Sequence, residues 1–293
     1  MTQRIITGYV DSPAGRDALA LAEVLAGIDP DHELLVTSVY AYNPPEEPAE
    51  PSGWRKVLRD RANAELAPVR ERLGEPADVT IKPSCGLSPS DGLHRLAVAE
   101  DATVIVVGVS HNHGMRRVQA GSITEQTITG SRCAVAIAPA GYAEDAGPLK
   151  TVAVAFNGSG ESQQALDAAA EIARAAGAEL RIVGVVEPAA VWYAAYGGSD
   201  AAGDLARIVR EDLTAAAGRV EGVERIDVRV LTGEPVKAIT EATDDADLLV
   251  LGSRGYGPIR RVLLGSVSAK LVRDPACPLL VLPRTAVEDS PAV

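Results

Sequence analysis

Residues 246–283 read ADLLVLGSRGYGPIRRVLLGSVSAKLVRDPACPLLVLP, and residues 102–139 read ATVIVVGVSHNHGMRRVQAGSITEQTITGSRCAVAIAP. At one constant spacing, without a gap, Gly108 falls on Gly252, Arg116 and Arg117 on Arg260 and Arg261, Gly121 and Ser122 on Gly265 and Ser266, Cys133 on Cys277, and Pro139 on Pro283. Register kept over such a length marks two copies of one α/β unit in tandem. Each copy places a glycine-bearing loop between an apolar β-branched run and a helical pattern. The copies differ in the glycines of that loop.

Working outward, each half alternates short apolar runs with helical patterns. In the second half, strands are expected at Thr151–Phe156, Glu179–Val186, Val228–Leu231, Asp247–Leu251 and Leu279–Leu282. Ser159 can cap a helix with Ala165, Leu166, Ala169, Ile172, Ala173 and Ala176 on one face, and Gly177 can end it. Leu205, Ile208, Val209 and Leu213 mark a second helix; Pro235–Thr243 and Ser266–Arg273 are the third and fourth, the last stopped by Asp274 and Pro275. In the first half the strands are Arg4–Val10, Glu33–Tyr40, Val79–Lys82, Thr103–Val107 and Ala134–Ala138. The helices include Pro13–Ala26, capped by Ser12 with Pro13 at its first position, and Trp54–Leu73. Strands apolar on both faces, alternating with helices, predict a parallel sheet covered on both sides and, by the right-handed crossover rule, doubly wound. Residues 1–141 form the first expected domain and 149–284 the second, with 140–149 as linker and 285–293 as a frayed polar tail.

A chain of 293 residues suits two domains of ordinary size, and with 46% hydrophobic but only 3% aromatic residues each core must be aliphatic. The formal net charge of -12 argues against nucleic acid and anionic membrane as partners. Three cysteines, two of them at equivalent repeat positions, argue against a disulfide framework. The opening MTQRIITGYVDS lacks the apolar core of a secretory leader, and no apolar run reaches the roughly 18 residues of a membrane span, so a cytoplasmic location is expected.

In an open α/β sheet, ligands bind beyond the carboxyl ends of the strands where connections leave in opposite directions. Two loops of the second half meet that description: Asn157, Gly158 and Ser159 after the first strand, and Gly252 to Ser266 after the fourth. Gly252, Gly255 and Gly257 allow backbone to approach a ligand. Gly265 and Ser266 open a helix whose free amides and dipole favour an anion. Ser266 and Ser268 add hydroxyl donors, and Arg260 and Arg261 add positive charge. Together these form a phosphate cradle without an evident nucleophile or metal ligand.

The spacing Gly252-x2-Gly255-x9-Gly265-Ser266 resembles the nucleotide-binding signature of the universal stress protein family, and the resemblance covers nearly the whole chain as two copies. It implies two tandem flavodoxin-like (adenine nucleotide alpha hydrolase-like) domains, each a five-stranded parallel doubly wound sheet. It also implies an intramolecular pseudo-dimer, with a homodimer as the alternative assembly. The implied ligand is an adenine nucleotide, ATP with or without Mg2+, held by Asn157, Gly158, Ser159 and Val185 on one side and Gly252, Arg254, Gly255, Gly265, Ser266, Val267 and Ser268 on the other. Gly255, Gly265 and Ser266 are the residues implied near the phosphates. The family pattern has an acidic residue after the first strand; here Asn157 stands there in the second repeat and Val10 in the first, with Asp11 one residue late, where a strand would turn it to the other face. In the first repeat His111 and His113 replace the equivalents of Gly255 and Gly257. A second site would use Asp11, Gly108, His111, Gly121 and Ser122, but the first repeat reads as degenerate.

Several residues admit more than one reading. His111 and His113 are either incidental bulk, a metal pair lacking a third ligand, or cations gripping phosphate. Trp192, Tyr193 and Tyr196 are either packing between repeats or subunits, or a flap over the adenosine. Cys85, Cys133 and Cys277 read as core or strand-end residues. The function expected is a non-catalytic, nucleotide-binding stress or regulatory protein; the rival is a slow ATPase or nucleotidyl-transfer enzyme.

Overall fold

The computed structural model describes residues 3–42, 53–74, 76–109, 123–187, 201–253 and 264–283. The chain divides into two compact units between Gly147 and Pro148. The first unit runs β1 (Arg4–Gly8), α1 (Pro13–Ala26), β2 (Glu33–Thr37), β3 (Val39–Ala41), α2 (Gly53–Glu65), α3 (Ala67–Leu73), β4 (Val79–Ile81), β5 (Ser84–Gly86), α4 (Pro89–Ala99), β6 (Val104–Gly108), α5 (Ile123–Ile128), β7 (Ala134–Ala138) and the short helix α6 (Tyr142–Asp145). Its main sheet is parallel in the order β7-β6-β1-β2-β4, and β3 and β5 form a separate parallel pair.

The second unit runs β8 (Thr151–Ala155), α7 (Gly160–Ala176), β9 (Glu179–Val186), α8 (Ala201–Ala217), β10 (Ile226–Thr232), α9 (Pro235–Thr243), β11 (Leu248–Gly252), α10 (Ser266–Arg273) and β12 (Leu279–Leu282). Its strands are parallel in the order β12-β11-β8-β9-β10. Each unit is therefore the five-stranded, parallel, doubly wound α/β sheet expected from the sequence. The central strands are buried on both faces, with Val152, Val154, Leu248 and Val250 fully enclosed in the second unit, which is why they read as continuous apolar runs.

Capping residues set the helix starts. Ser12 accepts a hydrogen bond from the Gly15 amide at 3.1 Å, and Ser159 accepts one from the Ser162 amide at 3.2 Å. Gly177 ends α7 in the left-handed conformation at φ 65°. Ser88 followed by Pro89 opens α4 with the same signature as Ser12 and Pro13, a helix the sequence reading did not single out.

The structure departs from the expected elements in three places. The run Glu33–Tyr40 is two strands rather than one: β2 leaves the main sheet after Thr37, whose hydroxyl donates to Ser84 Oγ at 2.9 Å, and β3 pairs instead with β5. The expected helix Trp54–Leu73 divides at Leu66, because Pro68 lacks the amide that would continue the ladder and its ring crowds the preceding turn. The linker carries α6, whose first amides at Gly141 and Ala143 donate to the buried carboxylate of Asp17, each at 2.9 Å.

Candidate functional site

In the second unit the connection from β8 leads to β9 on one side and that from β11 to β12 on the other, so a crevice opens between β8 and β11 at their carboxyl ends. A pocket of about 180 Å³ lies there. The starts of three helices border it: Ser159 and Glu161 at α7, Pro235 at α9, and Ser266 at α10.

These helix starts differ in one respect. The α7 start is capped by Ser159, and the α9 start by Glu234, whose carboxylate accepts from the Lys237 amide at 2.9 Å. That bond, helped by the nearby Lys270 ammonium, holds the Glu234 carboxyl below its ordinary range. The α10 start has Gly265 at the capping position and, among the described residues, no side chain accepting from its first amides. Its free N–H groups and positive dipole end border the pocket.

One wall is apolar. In β9, Ala155 lies level with Val183, and the strand runs on past the end of β8. Alternation places Val183, Val185 and Glu187 on one face, and all three line the pocket together with Pro235, Ile239 and Leu251. Gly184, on the opposite face, abuts Leu213 of α8.

Most of the site residues expected from sequence meet in this pocket: Asn157, Ser159, Val185, Gly252, Gly265, Ser266, Val267 and Ser268 all line it. Several do other work than expected. Gly158 is absent from the lining; it takes φ 77° to turn the chain after β8. A Cβ on Gly252 would lie 2.5 Å from the Glu161 carbonyl oxygen, so this glycine, which also lines the pocket, admits the start of α7. Gly108 has the same duty in the first unit, where a Cβ would lie 2.0 Å from the Ala14 carbonyl oxygen. The Ser268 hydroxyl donates to the Gly252 carbonyl at 3.2 Å, as Thr124 does to Gly108 at 2.8 Å. That proton is thus committed to holding the helix on the strand in both repeats, leaving Ser266 as the hydroxyl donor of this helix start. Asn157 accepts from the Ser159 amide at 3.2 Å through Oδ1, so its carbonyl serves the turn.

In the first unit Asp11 is exposed and ion-paired with Arg16 at 2.8 Å. Arg254, Gly255, Gly257, Arg260 and Arg261, and in the first repeat Arg116, Arg117, His111, His113, Gly121 and Ser122, lie outside the described residues, as do Trp192, Tyr193 and Tyr196. Of the cysteines, Cys277 is buried and Cys85 and Cys133 are partly so. Burial pushes the Cys277 thiol up to about 12 and raises that of Cys133, which leaves both unreactive as thiolates.

The sequence reading missed two carboxylates, Glu161 and Glu187. Glu187 could have been found by extending the Val183–Val185 alternation one step. Glu161 could have been found from its place in the first turn after a capping serine.

The model of the universal stress protein family matches residues 1–139 and again 148–283. A universal stress protein of Mycobacterium tuberculosis is 27% identical over 95% of this chain and 99% of its own length. One from Thermus aquaticus is 35% identical over 46% of this chain and 98% of its own length. Among solved structures, a universal stress protein from Archaeoglobus fulgidus superposes with a TM-score of 0.68 at 22% identity, covering 96% of this chain and 98% of that one, a likeness of fold. No helix among the described residues is long and apolar enough to cross a membrane. With its family model matched twice in tandem over nearly the full length, the chain belongs to the universal stress protein family.

Proposed function

We propose that the second repeat binds one adenine nucleotide, ATP with or without Mg2+, as a regulatory ligand rather than as a substrate. The observation that carries this reading is the uncapped start of α10 bordering a pocket with an apolar wall. The free amides suit phosphate, and Val183, Val185, Pro235 and Ile239 suit a flat apolar base. The Glu161 carboxylate and the Ser266 hydroxyl are hard oxygen donors of the type that accompany Mg2+. At about 180 Å³ the pocket is smaller than the roughly 300–1,000 Å³ of sites that enclose a whole small-molecule ligand. A nucleotide is then seated in part, and a modest affinity is expected.

The test is Ser266→Asp. A carboxylate in the first turn suits the helix dipole and adds about 0.3–1 kcal/mol to the helix, yet it repels phosphate. Loss of ATP binding with unchanged or raised stability is the expected result; undiminished binding would remove α10 from the site. A slower second activity, ATP hydrolysis, has one feature in its favour, the Glu161 carboxylate in the pocket. Phosphate release abolished by Glu161→Gln would establish it.

A further inference from the structure

We propose that Glu187 reads the ribose, so that the pocket selects ribonucleotides with a free 2′,3′-diol. This rests on the nucleotide reading above and goes beyond it in naming the sugar.

The loop after β8 carries Asn157 in place of a carboxylate, and its side-chain oxygen is engaged by the Ser159 amide at 3.2 Å. Two carboxylate-bearing residues, Glu161 and Glu187, nevertheless line the pocket. Glu161 sits at the start of α7, its backbone packed on Gly252 of β11 beside the phosphate-facing helix. Glu187 follows β9, in one row with Val183 and Val185 beyond the end of β8. Strands β11, β8 and β9 are successive neighbours, so about 10 Å separates the two ends of the crevice. That span suits a phosphate at α10 and a sugar beside β9.

A carboxylate at the end of the second strand of a doubly wound sheet is chemically suited to a vicinal diol: two oxygens accept from two hydroxyls, each bond charge-assisted. Among the described residues no donor is paired with the Glu187 carboxylate, and the residue is exposed at the rim. A carboxylate here also repels a ligand phosphorylated at the 2′ or 3′ position.

The experiment is titration calorimetry of the full chain with ATP, 2′-deoxy-ATP and 3′-deoxy-ATP, on the parent, Glu187→Gln and Glu187→Ala. The parent is expected to bind ATP roughly tenfold or more tighter than either deoxy form. Glu187→Ala should remove most of that preference, lowering ATP affinity more than that of either deoxy form, each of which keeps one hydroxyl for the carboxylate; Glu187→Gln, which keeps one acceptor, should fall between. Equal affinity of the parent for ATP and both deoxy forms overturns the inference. So does a Glu187→Ala variant that retains the preference or weakens all three ligands alike. A parent that binds none of the three overturns the nucleotide reading itself, and the ribose assignment with it.

Discussion

Gly252 and Gly265 stand at the two ends of one loop and look interchangeable in sequence, yet the structure gives them different duties. Gly252 has no room for a side chain, since the Glu161 carbonyl oxygen lies 2.5 Å from where a Cβ would be. Gly265 has φ -71° and ψ 172°, a conformation open to any residue, and its value is the uncapped helix start it leaves. Gly252→Ala is therefore expected to cost about 1–3 kcal/mol of stability, whereas Gly265→Ala should cost less than about 1 kcal/mol. Chemical denaturation of the two variants checks this; equal losses would contradict the division. At this scale the sequence was legible where one side chain acts on its own neighbours, as Ser12, Ser159 and Gly177 do. It was not legible where the neighbour comes from another element. The Gly252–Glu161 approach joins residues far apart in the chain, and a glycine needed for packing has the same letter as one needed for a ligand.

Among elements, the clearest departure from an aliphatic interior is Arg181, in β9, at 4% exposure. Its guanidinium makes two hydrogen bonds to Asp245, one of them at 3.2 Å, and donates to the Ala242 carbonyl at 3.0 Å. It thereby satisfies the carboxyl end of α9 and ties that helix to the sheet, at the end of β9 away from the pocket. Burial works to lower the Arg181 pKa, but Asp245, Glu179 and Asp227 outweigh it and the group stays charged. The hydrogen bond from Arg181 in turn holds the Asp245 carboxyl below its ordinary range. A carboxyl depressed in the folded state contributes stability that is full above its unfolded pKa of about 4 and is lost as pH falls through the lower folded value. Asp245→Ala should cost about 1–2 kcal/mol at neutral pH. That is less than a fully buried pair, because the Asp245 side chain is 63% exposed and solvent screens it. The deficit should shrink below about pH 4. Denaturation midpoints at neutral and acid pH measure it, and a deficit independent of pH would contradict the linkage. The order of elements in the second repeat was readable from alternating apolar runs and caps, and Ser266–Arg273 and Leu279–Leu282 fall where expected. The first repeat was less readable because β2 exchanges partners after Thr37, and pairing leaves no mark in local composition.

Across the whole molecule, duplication followed by divergence gives two copies of one architecture with unequal loops. Both keep the strand-end glycine and the hydroxyl that bonds its carbonyl. Those shared features hold helix to sheet, and so do not by themselves make a ligand site. What distinguishes the second copy is Asn157 in place of Val10, and Gly255 and Gly257 in place of His111 and His113. Val10 offers a nucleotide no polar side chain, and in the first unit the nearby carboxylate, Asp11, is taken up by Arg16. One nucleotide per chain is therefore expected, with a first repeat kept for its fold. The direct measurement is titration calorimetry of the full chain with ATP in the presence of Mg2+, read for stoichiometry. A single site per chain, lost in Ser266→Asp and retained when His111 is replaced by alanine, is the predicted result; two equal sites, or one that survives Ser266→Asp but is lost with His111, would contradict it.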